Sequence, residues 1–183
     1  MGSVLIPTDF IDLGSRQAID LAIHRLVHKG TIRRLARGVY DYPKVHPVLG
    51  LLLPSPDAIA KAIAGREQAR LQPAGAYAAN LLGLSEQVPA KVVFLTDAFS
   101  RTVQIESMTI QLRQTTPRNM VTAGRLSGLV IQALRHLGKV HVTSDRIAHL
   151  KGILPADKRQ TLIKDIKFAP AWMHPILRKL AED

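Results

Sequence analysis

Apolar side chains recur three and four residues apart over residues 16–29, where Ile19, Ile23, Leu26 and Val27 share one face and Gln17, Asp20, His24 and His28 occupy the other. This spacing predicts an amphipathic helix about 20 Å long. Ser15 supplies its start signal, and Gly30 stands where a left-handed cap residue is expected. Ahead of it, Thr8 is placed to cap a short turn through Phe10 and Ile11, which Asp12-Leu13-Gly14 breaks. Behind it, Thr31-Ile32-Arg33-Arg34-Leu35 alternates as a strand does. Arg37-Gly38 then turns the chain into Val39-Tyr40-Asp41-Tyr42, and Pro43 stops it. A helical turn, a tight connection, a helix and a basic two-stranded hairpin follow the order of a winged helix-turn-helix, which residues 1–43 are predicted to form.

Residues 44–183 read as a second unit, a mixed α/β domain closed by helices, so the fold class is α+β. Lys44 to Pro54 is interrupted by Pro and Gly and reads as a linker that packs down. Ser55-Pro56-Asp57 offers an N-cap, a Pro at the first helical position and an acid in the first turn, with Ile59, Ala60 and Ile63 facing inward. A helix over residues 75–82 closes at Gly83, and Lys91 to Thr96 is a short buried-strand run. Val103 and Ile105, then Ile110 and Leu112, alternate with polar residues across Glu106-Ser107-Met108 as an antiparallel hairpin with one wet face. Four helical segments follow. The first carries the stripe Leu126, Leu129, Val130, Ala133, Leu134, Leu137 and ends at Gly138. The second spans residues 144–150, and the third starts at Pro155-Ala156-Asp157 with Leu162, Ile163 and Ile166 inward. The last runs over residues 170–180, where Pro175 is tolerable only near the first turn.

Composition removes several classes of function. The 183 residues include no Cys, so a disulfide framework, a thiolate zinc site and a cysteine nucleophile are all excluded, which fits a reducing compartment. The longest strongly apolar run, Val48 to Leu53, is far short of the roughly 20 residues that cross a bilayer, and Pro7, Asp9 and Asp12 interrupt any signal-peptide pattern. No membrane association and a cytoplasmic location are expected. No phosphate-binding Gly-rich loop, no nucleophile elbow and no paired catalytic acids occur, so neither an enzyme nor a cofactor is expected. His24 and His28 lie four apart, but the Glu that a zinc-protease helix requires is missing, and no metal is expected. His136, His141 and His149 are scattered and read as ordinary surface residues.

The balance of 25 Lys+Arg against 14 Asp+Glu, net +11, favours a polyanionic partner. Residues 1–43 carry +2 and the remainder +9. In the first segment the placement matters more than the total. Ser15, Arg16 and Gln17 open the helix, where exposed N–H groups favour phosphate; Asp20 and His24 follow one and two turns in, and Lys29 closes it. Arg33, Arg34 and Arg37 sit on the hairpin, where a wing meets the DNA backbone or minor groove. These nine residues are the candidate contacts to double-stranded DNA. Eight scattered aromatics argue against a base-stacking RNA platform. The basic second unit leaves a different class open, an interaction protein that binds an acidic protein or structured RNA and carries a degenerate N-terminal segment.

QPAGAYAANLLGLSEQVPAK (Gln72 to Lys91) followed by FLTD (Phe94 to Asp97) resembles the AbiEi-like antitoxins of bacterial abortive-infection, type IV toxin–antitoxin systems. So do RRLARGVYDYP (Arg33 to Pro43), TTPRNM (Thr115 to Met120), GLVIQALRHLGK (Gly128 to Lys139) and APAWM (Ala169 to Met173). The resemblance implies an N-terminal winged helix-turn-helix that binds inverted repeats in its own promoter as an autorepressor, and a C-terminal antitoxin domain. It also implies a nucleotidyltransferase-like toxin countered without a stable complex. A palindromic operator would favour a homodimer on DNA. One departure stands out: such proteins usually have a further helix ahead of the segment matching Ile6 to Phe10, and almost nothing precedes it here. Ile19, Ile23 and Leu26 are then expected to be partly uncovered unless another element or a second copy covers them. Tyr77 and Leu81 share a helix face and read as core, and the Asn80 amide, set among apolar neighbours, is expected to bond nearby backbone.

Overall fold

A computed structural model describes residues 3–65 and 69–182. The chain opens with strand β1 (Val4–Leu5), a 3-10 segment (Pro7–Leu13), helix α1 (Arg16–His28) and strands β2 (Arg33–Ala36) and β3 (Val39–Asp41). The three strands form an antiparallel sheet in the order β1-β3-β2. Pro7 starts the 3-10 segment, and the Asp9 carboxylate accepts the Ile6 N–H at 2.9 Å, so Asp9 caps this turn where Thr8 was expected to. Ser15 caps α1 through a 3.3 Å bond from the Ala18 N–H to its hydroxyl, which stabilises the helix by about 1 kcal/mol. Ile19, Ile23 and Ile32 are buried together, with Leu5, Phe10, Val27 and Tyr40 packed round them. Two of the three residues expected to be uncovered are therefore inside, and only Leu26 is exposed.

Residues 44–54 are not a linker. They form a hairpin of β4 (Lys44–His46) and β5 (Gly50–Leu52), paired antiparallel. Its turn is built by the His46 ring, whose Nδ1 accepts the N–H groups of Val48 and Leu49 at 3.2 Å each, and by Gly50 in the left-handed region at φ 69°. Pro47 and the unbroken apolar run that follows hide the alternation that would betray strands.

Helix α2 (Pro56–Ala64) starts from the expected Ser55 cap, and β6 (Leu71–Ala74) leads into α3 (Gly75–Leu81). Strands β7 (Lys91–Thr96), β8 (Arg101–Ile105) and β9 (Met108–Gln114) complete a four-stranded mixed sheet in the order β6-β7-β9-β8, parallel only between β7 and β9. Strand β6 was not foreseen. It is short, lies at the sheet edge and contains Pro73, which cannot donate to a ladder. One sheet face presents Val92, Phe94, Val103, Ile105, Ile110 and Leu112 to Ile59 and Ile63 of α2. Ile6 and Val39 of the N-terminal strands join that same cluster, so the hydrophobic core is continuous across the boundary at residues 43 and 44.

The remaining helices are α4 (Pro117–Met120), α5 (Leu126–Leu137), α6 (Ser144–Ile153), α7 (Ala156–Lys164) and α8 (His174–Ala181). Leu134, Leu150, Leu162, Met173, Leu177 and Leu180 are fully buried among them, each stabilising the fold by about 1.5–3 kcal/mol. Ile163, expected inward, is exposed, as is Leu81, whereas Tyr77 is buried. Asn80 donates to the carbonyls of Ser85 and Gln87, both at 3.1 Å, as the sequence suggests. The molecule is thus α+β, and among the described residues no helix is long and apolar enough to cross a membrane.

Candidate nucleic-acid interface

Helix α1 divides its surface into three lengthwise bands. Ile19 and Ile23 face the core, Ala18, Ala22 and Leu26 form an exposed apolar stripe, and Arg16, Asp20 and His24, one turn apart, face the β2–β3 hairpin. Between that third band and the hairpin runs a cleft of roughly 530 Å³. Its polar lining is Arg16, Asp20 and His24 from α1, Arg34 and Arg37 from the hairpin, and Arg101 from the start of β8. Four guanidinium groups converging on one open cleft repel each other, and an anion is the ligand that relieves the repulsion.

The arginines differ in how free they are. Arg16 Nε donates to both Asp20 carboxylate oxygens at 2.9 and 3.0 Å, but both side chains are more than half exposed. An exposed pair of this kind is worth only about 0.3–0.5 kcal/mol and exchanges readily for phosphate. Arg34 and Arg37 are exposed and make no hydrogen bond or ion pair with the described residues. Arg101, also exposed, makes one long bond of 3.4 Å to the Ile63 carbonyl. Nothing local in the sequence points to Arg101, because the strand that carries it is brought to the cleft by the second sheet.

Arg33 is placed differently from its neighbour. Strand alternation turns it away from the cleft, where Nε and Nη2 donate to the two oxygens of Asp41 at 3.1 and 2.7 Å, and Nη2 also donates to the Leu52 carbonyl at 2.9 Å. The Asp41 side chain is 1% exposed. Its hydrogen bond and charge hold the Arg33 guanidinium above its ordinary pKa against the opposing cost of burial. Arg33 therefore ties the hairpin to β5. Ser15 spends its hydroxyl on the helix cap, Gln17 is exposed on the outer side of α1, and Lys29 is exposed at the far end of the helix, away from the cleft.

A second polar concavity, not foreseen as one, gathers His136, His149, Asp145, Arg146 and Glu86. His149 Nε2 sits 3.0 Å from the Leu82 carbonyl. Among the described residues no group of three or more His, Asp or Glu side chains is arranged to hold a metal ion.

Together these features define an α+β protein with an arginine-lined cleft beside an exposed helix. The chain belongs to the family of unknown function DUF6088, whose family model matches residues 1–162. No curated protein matches the sequence. A solved structure, the crystal structure of the RV2827C protein from Mycobacterium tuberculosis, is similar at 15% identity and a TM-score of 0.40, over 97% of this chain and 76% of that one.

Proposed function

We propose that the protein binds double-stranded DNA, with α1 as the recognition helix and the β2–β3 hairpin as the wing, and acts as a transcriptional regulator. The observation that carries this reading is the convergence of Arg16, Arg34, Arg37 and Arg101 on one cleft alongside α1. The order β1, helical turn, α1, β2, β3, with β3 central in its sheet, also matches the strand–helix–helix–hairpin sequence of a winged helix-turn-helix without its leading helix. In this arrangement Arg16 and Gln17 reach base edges from the first turn of α1. Arg34, Arg37 and Arg101 neutralise phosphates, while Arg33 serves the fold and contacts no DNA.

The biological role extends the reading through the sequence resemblance alone. The protein is an antitoxin of a type IV abortive-infection system that represses its own operon and counters a nucleotidyltransferase-like toxin without a stable complex. A mobility shift with the duplex upstream of its gene tests the DNA step. Retention of that duplex over an unrelated one, with the preference relaxed by Gln17→Ala, is the expected result. No retardation of either duplex at low salt would refute it.

A further inference from the structure

Two apolar features of opposite shape lie uncovered in the first 53 residues, and these residues hold ten of the sixteen exposed large apolar side chains among those described. One is convex. All three residues of β4 and two of three in β5 are exposed, and at the tip Val48 and Leu49 stand in solvent at 84% and 70% exposure, with Val45 and Leu51 paired behind them. A two-stranded hairpin with no further strand and nothing packed on its faces is marginal by itself. The anchor at its base, the Arg33 bond to the Leu52 carbonyl, fixes where it leaves the molecule but covers none of its apolar surface.

The other feature is concave. The stripe Ala18, Ala22 and Leu26 on α1, walled by Phe10 and Leu13 of the preceding 3-10 segment, encloses a groove of roughly 330 Å³ whose lining is almost wholly apolar. Leu13 on its wall is 80% exposed. The small side chains Ala18 and Ala22 leave a trough that two branched aliphatic side chains can enter.

We propose that the hairpin tip of one chain seats in the α1 groove of a second copy, reciprocally, so that the protein forms a two-fold symmetric dimer. Three observations favour a second copy over any other occupant. Knob and groove occur on the same chain, so one rotation satisfies both twice, and isologous repetition doubles the apolar area buried. Their charges are complementary within a strongly basic molecule: residues 3–15 hold Asp9 and Asp12 and no base, whereas residues 42–56 hold Lys44 and His46 and no acid. Neither feature overlaps the arginine cleft, which uses a different band of α1, so the contact leaves both clefts open to the outside.

Size-exclusion chromatography with light scattering, on the full chain at about 50 μM without nucleic acid, tests this independently of the DNA reading. The expected mass is twice the 20.1 kDa of the chain. Leu49→Asp on the tip and Ala22→Glu in the groove each give monomers that melt as the parent does, since both positions are exposed, and Leu49→Met stays dimeric. Should Ala22→Glu lower the melting temperature, Leu26→Ser replaces it. The decisive step is mixing. The tip variant keeps an intact groove and the groove variant an intact tip, so an equimolar mixture recovers a heterodimer through one of the two contacts. A parent that runs at 20.1 kDa overturns the proposal, as does a tip variant that remains dimeric. A mixture that stays monomeric overturns it too, because it would mean tip pairing with tip or groove with groove.

Discussion

Arg33 and Arg34 are adjacent and chemically identical, yet one is structural and the other faces the cleft. Strand alternation separates them, and the register pairs Arg33 with Asp41 across the β2–β3 hairpin. The signal was present in the sequence, as an acid opposite a base in a predicted hairpin, but choosing the inward arginine needs the register. Arg33→Ala leaves the Asp41 carboxylate buried without its partner, at a cost of about 3 kcal/mol. The melting temperature should fall by roughly 6–12 °C, whereas Arg34→Ala should leave it unchanged; calorimetric scans of both variants check this. Tyr77 makes a second residue-level case. Burial first, and its hydrogen bond and proximity to the Asp57 carboxylate next, push its hydroxyl pKa well above the ordinary 10.0. A raised folded-state value means that the stabilisation is complete below pH 10.0 and is lost as pH rises through the folded value. Urea unfolding from pH 9 upward should show a steeper loss for the parent than for Tyr77→Phe, and parallel profiles would contradict the assignment.

Helices were legible because their start and stop signals are local: Ser15 and Gly30 round α1, Ser55-Pro56 before α2, and Gly138 after α5 all mark ends that the structure shows. The strands β6 and the β4–β5 hairpin were not, since Pro73 and Pro47 mask them and their partners lie far along the chain or emerge only in the turn geometry. Packing between elements adds a demand that no helix scale contains. The first turn of α5 runs so close to neighbouring chain that a Cβ on Gly128 would lie 2.3 Å from the Thr122 carbonyl oxygen and 2.5 Å from Gln72 Oε1. Propensity alone predicts that Gly128→Ala stabilises an exposed helix by up to about 1 kcal/mol. Here the backbone carbonyl cannot yield, and we expect a net loss of about 1–3 kcal/mol in urea unfolding. A gain in stability would show that α5 has room to move.

Across the whole molecule, the sequence placed net positive charge on both units but could not say which residues share a surface. The fold answers by bringing Arg101, from the second sheet, beside Arg34 and Arg37 of the hairpin and Arg16 of α1, while withdrawing Arg33 into an ion pair and leaving Lys29 at the far end of the helix. This distribution sets the electrostatics of DNA binding. Four phosphate contacts per protomer give a slope of log K against log salt near −3.6, and each lost contact makes it shallower by about 0.9. The most direct measurement is therefore fluorescence anisotropy of a labelled duplex titrated at several salt concentrations, with the parent and the Arg34→Ala/Arg37→Ala variant compared. The account predicts a slope of about −3.6 per protomer for the parent and about −1.8 for the variant. Equal slopes, or binding indifferent to salt, would contradict it.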